Sequence, residues 1–333
     1  MDQMELIEKI TVDFIACINK HLPKKWISSS GSSGPRFHVV LSEKNSSYVS
    51  SEYFYEGERK FVHWTNIQNL MSIINSRQIR LYNLQNSNDV KEFKYAGEKL
   101  TIPDNIIDYS KNYLYTFSFC ESKEKDNPIL WSKYGNDYSG ATIEFEILNN
   151  PEDWINFMLS RTYYELPEKL IRLVDDLKCL KKKWSGSGIE TEIDLGRLIA
   201  FHKHPDFKDE QEIRLSSYYP YVNIEAILKY FNTEFRFDNE RPRITDYFGL
   251  YLWVDNESSY ITSTDKELDR RLVVNDDYFI KNPKLKITNI SFGENCGISN
   301  LEYCKFKEKL EEIIRFKLGY RISLPWGLYK RKQ

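Results

Sequence analysis

Apolar residues at Leu6, Ile7, Ile10, Phe14, Ile15 and Ile18 recur at spacings of three and four, which predicts an amphipathic helix over residues 5–22 that stops before Pro23. The following Ser28-Ser29-Ser30-Gly31-Ser32-Ser33-Gly34-Pro35 has the composition of a flexible linker, so residues 1–35 read as an appendage. Its apolar stripe must dock on the same chain or on a second copy. From Lys60 to Trp64 the residues are β-formers, and Ile67, Leu70, Met71 and Ile74 then switch to helical spacing. Thr65 with Gln68 makes a capping-box pattern, so the helix is expected to begin directly after the strand that carries His63.

The alternation continues downstream. Arg80-Leu81-Tyr82 reads as a short return strand, Tyr113 to Phe119 as a strand dense in aromatics, and Ala141, Ile143 and Phe145 as the buried face of another. Between these two strands, Trp131 to Gly140 reads as an aromatic turn with Gly140 as its pivot. Residues 167–200 are mostly helical, and 221–275 read as an insertion with a helix near Ile224 to Phe231 and a strand near Tyr247 to Val254. A strand from Lys284 to Ser291 and a helix from about Leu301 to Leu318 close the pattern. The chain is therefore expected to be α+β, with residues 36–333 forming one domain.

Composition narrows the classes. A net charge of −2 argues against a dedicated, strongly basic nucleic-acid binder, although the run Lys178, Lys181, Lys182, Lys183 and the tail Lys330-Arg331-Lys332 keep a nucleic-acid partner open. The five cysteines are odd in number and lack any C-x-x-C pair, which suits a reducing compartment with neither disulfide framework nor thiolate zinc site. His202 and His204 stand two apart with no further ligand types nearby, so no metal is expected. No apolar run approaches a membrane span, and the acidic start is not a secretory signal. A soluble cytoplasmic protein with no membrane partner is the expectation.

Three stretches carry candidate chemistry. A helix starting just beyond His63-Trp64-Thr65 would aim backbone N–H groups at an anion such as a pyrophosphate. Asn88-Asp89 reads as a cap for a helix holding Glu92 near its start. In Phe207 to Leu215, a strand would put Glu210, Glu212 and Arg214 on one face, with successive carboxylates about 7 Å apart.

These motifs, in order, are Phe61-Val62-His63-Trp64-Thr65, Asn88-Asp89-Val90-Lys91-Glu92, Phe117-Ser118-Phe119, Trp131-Ser132-Lys133-Tyr134 with Gly140 and Ile143-Glu144-Phe145, and Glu210-Gln211-Glu212-Ile213-Arg214. Together they resemble the bacterial domain of unknown function 2971 family over roughly residues 58–295. Val90 departs from that pattern, where the family prefers Pro. The family looks related to the ADP-ribosyltransferases, whose split, twisted β-sheet core with flanking helices binds NAD in a cleft, and some members accompany toxin or phage-defence loci.

The resemblance implies that His63 contacts the adenine-proximal ribose of NAD. It also implies that Tyr134 or Ser132 faces the nicotinamide ribose and that Glu212 or Glu210 is the catalytic glutamate. Trp64, Thr65, Glu92, Trp131 and Arg214 would line the same cleft. The implied reaction passes ADP-ribose to a macromolecular acceptor. A non-catalytic nucleotide sensor and an NAD glycohydrolase are the alternatives.

Overall fold

A computed structural model of the chain describes residues 3–22, 27–32, 37–43, 48–49, 51–84, 95, 97–99, 104–154, 156–194, 198, 200–218, 231–238, 241–254, 281–325 and 327–330. In chain order the elements that matter begin with helix α1 (Gln3–His21) and strands β1 (Ile27–Ser32), β2 (Phe37–Glu43) and β3 (Lys60–Thr65). Helix α2 (Ile67–Ser76), β4 (Gln78–Asn83), α3 (Asp104–Tyr113), β5 (Leu114–Glu121), α4 (Pro128–Tyr134), β6 (Ala141–Ile147) and β7 (Phe157–Arg161) follow. The rest comprises α5 (Glu168–Trp184), β8 (Ile189–Asp194), β9 (Ile213–Tyr218), β10 (Phe231–Asp238), β11 (Arg241–Tyr251), β12 (Leu285–Phe292) and α6 (Asn300–Leu318).

The fold is mixed α+β around an open antiparallel sheet. Its main path runs β10-β11-β4-β5-β3-β6-β12, with β9 pairing both β5 and β7. Strand β5 is the hub, because it pairs with three strands. One edge runs along β9 from Leu114↔Tyr218 to Phe119↔Ile213. The other edge meets β4 at Tyr82↔Thr116 and β3 only at Val62↔Cys120 and Phe61↔Glu121. The sheet therefore splits beside Ser118, leaving a wedge between β3 and β4 that α2 bridges. Alternate residues of β3, β5 and β6 fill the principal core, where Phe61 and Phe119 lie 4.4 Å apart beneath α2 and α6. Helix α6 is fixed at both ends, by the Ser299–Glu302 capping box and by Gly319 in the left-handed conformation.

The N-terminal segment is not an appendage on a flexible linker. Residues 27–32 form β1, which pairs with β2, and β2 runs parallel to β8 in a second sheet of three strands. Ladder hydrogen bonding overrides the linker-like serines, because a serine or glycine is only a weak strand former and not a forbidden one. The stripe of α1 docks on α5: Ile10, Phe14 and Ile18 are fully buried with Leu170, Leu173 and Val174, each burial stabilising by about 1.5–3 kcal/mol. Asp13 accepts hydrogen bonds from Lys183 at 2.6 Å and from the Trp184 indole at 3.2 Å. Docking within the chain removes the reason for expecting a second copy on that stripe.

Other elements differ from the sequence expectation for local reasons. The cap of α2 is Asn66, whose side chain accepts from the Asn69 amide, while Thr65 ends β3. The expected helix near residues 224–230 and the cap at Asn88 fall outside the described residues. Phe231 starts β10, and the expected strand at 247–254 is the end of the longer β11, which adds a hairpin beside β4.

Candidate functional site

The aromatic turn proves to be a short helix with a strained exit. Asn127 caps α4 by accepting from the Ile129 amide, Pro128 occupies its first turn, and Gly135 ends it. Asn136, Asp137 and Tyr138 then adopt positive φ values of 49°, 47° and 63°. Three consecutive non-glycine residues there cost on the order of 1 kcal/mol each, which the surrounding packing must offset. That packing is a stack. The Trp131 ring lies parallel to Tyr329 at 4.8 Å and to Tyr138 at 5.6 Å, and its indole N–H donates to Lys125 O. Tyr329 is tied down in turn by its amide to Phe292 O and by its hydroxyl to Asp126 O. Gly140 and Gly293 close the unit, since a Cβ on either would collide with a backbone oxygen, Thr65 O or Tyr138 O respectively.

Trp131 is accordingly a core residue and does not line a cleft. Trp64 joins it: the residue is buried on the β3 face opposite His63, in the cluster with Val62, Leu130 and Trp131. Ser132 contacts Asp137 at 3.5 Å on the surface and takes no part in the arrangement below. Alternation along β3 and the helical twist of α4 decide these placements.

What α4 does deliver is Lys133 and Tyr134. Both donate to Glu210 Oε1, while Lys203 Nζ donates to Glu210 Oε2 at 2.6 Å and to Glu212 Oε2 at 3.3 Å. Glu210 and Glu212 do not share a strand face. Residues 205–210 form a 3₁₀ turn opened by His204 and Pro205, Gln211 takes a left-handed conformation, and β9 begins only at Ile213. The two carboxylates nevertheless converge, because Lys203 stands between them. Arg214 grips Glu212 with Nε at 2.8 Å and a terminal nitrogen at 3.0 Å, and donates to Ala200 O at 2.7 Å. The Glu212 amide donates to the Tyr164 hydroxyl at 2.9 Å.

Electrostatics follow from this packing. Burial works to raise the Glu210 carboxyl, but the hydrogen bonds from Lys133, Lys203 and Tyr134 outweigh it and hold the group below the usual carboxylate range. Burial pushes Glu212 up, against the pull of Lys203 and of the Ser118 hydroxyl. Lys203 is held protonated: burial would lower it, yet the two glutamates raise it. The Tyr134 hydroxyl is raised by burial and by its bond to Glu210. The cluster reaches solvent through α4, for the side chain of Lys133 is 45% exposed and that of Glu210 only 6%.

On the other side of Ser118 lies the wedge of the split sheet. It holds a cavity of about 240 Å³ lined by His63, Thr65, Asn69, Ser72, Arg80 and Ser118 among others. His63 Nδ1 lies 2.8 Å from Ser118 O, and its ring packs 4.5 Å from Phe117. Burial depresses its pKa to about 4, so the imidazole is neutral near pH 7. Ser118 thus meets His63 through its carbonyl and pairs across the ladder with Arg214, the residue that grips Glu212. Of the sequence candidates, the fold brings Glu210, Glu212, Arg214 and Tyr134 together and sets His63 and Thr65 in the adjoining cavity. Glu92 lies outside the described residues.

Lys203 and Lys133 are the residues that sequence reasoning missed. Lys203 lies between His202 and His204, whose spacing suggests metal chemistry only weakly, and among the described residues no group of three or more His, Cys, Asp or Glu side chains could hold a metal ion. Lys133 sits inside the Trp131-Ser132-Lys133-Tyr134 stretch, but only the helical geometry of α4 shows it sharing a target with Tyr134. No helix among the described residues is long and apolar enough to cross a membrane.

A family profile described as Protein of unknown function (DUF2971) matches residues 130–215. That span, narrower than the residues 58–295 over which the motifs suggest a resemblance, contains the whole ionic cluster and leaves His63 outside. No match was found among curated proteins or solved structures.

Proposed function

We propose that this chain is an ADP-ribosyltransferase-like enzyme that cleaves NAD and transfers ADP-ribose to a macromolecule. The observation carrying the reading is the convergence of Glu210, Glu212 and Tyr134 on one buried ionic cluster, joined through Ser118 to a cavity holding neutral His63. The reaction breaks the bond between ribose C1′ and the nicotinamide nitrogen, whose electron pair leaves with nicotinamide. A nucleophile of the acceptor then attacks the oxocarbenium-like ribose, and a carboxylate takes its proton. Glu210 suits that role because it is the carboxylate next to exposed Lys133 and Tyr134. Glu212, gripped by Arg214, positions the cluster. The cavity is below the roughly 300–1,000 Å³ of common ligand pockets, so it suits one half of a dinucleotide.

A nucleotide sensor without turnover is the second reading. It is favoured by the occupancy of both carboxylates, each of which already accepts from at least two donors. Incubation with NAD labelled in the adenylate, in cell extract, separates the two. Label appearing on protein or nucleic acid supports transfer, and loss of nicotinamide with label left on free ADP-ribose supports a glycohydrolase. Saturable binding with neither product means the sensor. Such transfer would suit a toxin or phage-defence effector.

A further inference from the structure

Glu210 Oε1 already accepts two hydrogen bonds, from Lys133 and Tyr134, which fills the acceptor capacity of one carboxylate oxygen. A ligand hydroxyl can bond there only if one donor leaves. The neighbouring donors differ in freedom. Lys203 is buried and shared with Glu212, and Tyr134 is a stiff ring on a helix anchored by the Trp131 stack. Lys133 is half-exposed on a flexible four-carbon stem, and its ammonium lies 4.9 Å from the Phe207 ring centre and 5.1 Å from that of Tyr134. It can swing outward while still resting on an aromatic face.

Charge points the same way. Lys133, Lys203 and Arg214 serve two carboxylates through the bonds described above, so departure of Lys133 still leaves Glu210 and Glu212 with Lys203 and Arg214. Lys203 is buried and bonded to both glutamates, and Arg214 is buried with two bonds to Glu212, so departure of either would break more buried bonds than departure of Lys133.

We propose that Lys133 selects phosphate-bearing ligands by exchange: an incoming polyphosphate takes its ammonium from Glu210, and the acceptor position so vacated on Oε1 receives a ligand hydroxyl. The proposal deepens the nucleotide reading above and assigns the preference for an anionic, hydroxyl-bearing substrate to a residue outside the glutamate pair. An uncharged nucleoside, which offers no anion, must compete with Lys133 for Glu210.

The test follows the Glu210 carboxyl ¹³C signal, assigned with Glu210→Gln, in wild type, Lys133→Gln and Lys133→Arg during titration with inorganic pyrophosphate, ADP or adenosine. Pyrophosphate is expected to shift the Glu210 signal saturably in wild type and to leave it unmoved in Lys133→Gln. ADP should bind wild type at least about tenfold more tightly than adenosine, the scale of one charged contact, with the ratio falling below about threefold in Lys133→Gln and recovering in Lys133→Arg. The exchange is overturned if millimolar pyrophosphate leaves the wild-type Glu210 signal in place. It is also overturned if Lys133→Gln keeps the full preference for ADP or loses ADP and adenosine affinity alike. Pyrophosphate moving Glu210 while neither NAD nor ADP binds would sustain the exchange and sink the NAD reading instead.

Discussion

Lys203 Nζ lies 2.6 Å from Glu210 Oε2, and both side chains are almost wholly buried. The pair is the inner half of a cluster in which the same ammonium also reaches Glu212. Replacing Lys203 takes a charged donor from each of two buried carboxylates and leaves their repulsion unrelieved, so Lys203→Met is expected to lose about 3–5 kcal/mol of stability at pH 7.5. The loss should shrink at pH 5, because protonating one glutamate relieves the repulsion between the two. Urea melts at both pH values measure it, and an equal loss at each would show that packing rather than charge is at stake.

For catalysis the prediction concerns Glu210. Glu210→Gln should slow nicotinamide release at least about a hundredfold while NAD still binds, the scale of losing one transition-state contact. His63→Ala, which alters the cavity, should weaken NAD binding instead. If Glu212→Gln is the variant that retains stability and loses turnover, the roles assigned to the glutamates must be exchanged.

The C-terminal strap carries a prediction of its own. Tyr329→Ala removes a ring parallel to Trp131 and should cost about 2–4 kcal/mol, on the scale of deleting a large packed side chain. Because Trp131 and Tyr134 share α4, Tyr134 should lose order at Glu210 as well. Thermal melts report the first effect and the binding isotherm for NAD the second; a stability loss with unchanged binding would uncouple strap from site.

Gly140→Ala and Gly293→Ala test the same unit from the backbone side. Each new Cβ meets a backbone oxygen that cannot swing aside, so each should destabilise by about 1–3 kcal/mol. Gly186→Ala, with open space around it, serves as the control in the same denaturation series.

Acid should unfold the protein through its buried histidines before its carboxylates. Burial holds His63 at about 4 and His202 at about 3, against 6.5 when exposed. Their folded-state values are depressed, so the stabilising contribution is complete above pH 6.5 and is lost as pH falls towards those values. Between about pH 6.5 and 4.5 each should contribute a slope approaching about 1.4 kcal/mol per pH unit. His202→Asn should flatten the slope by about one histidine's share, measured as denaturation free energy against pH; an unchanged slope would mean that His202 titrates normally in the fold.

The sequence by itself determined the periodic elements. Spacings of three and four pointed to helices at residues 5–22 and about 301–318, and β-forming or alternating runs to strands at 60–64, 80–82, 113–119, 141–145 and 284–291, within a few residues of where these elements lie, because burying one face repeats with the backbone's own period. It also pointed to Glu210, Glu212, Arg214 and Tyr134, though for a reason the fold replaced: the glutamates meet across a 3₁₀ turn and a left-handed Gln211, not along a strand. Tertiary structure alone decided the rest. Ladder pairing made a strand of Ser28–Ser32, the stack with Tyr329 turned Trp131 inward, and the split beside β5 opened the His63 cavity. Lys203 was invisible for the same physical reason: a lysine's role is set by the charges that burial places around it, and those come from residues whose positions no local pattern encodes.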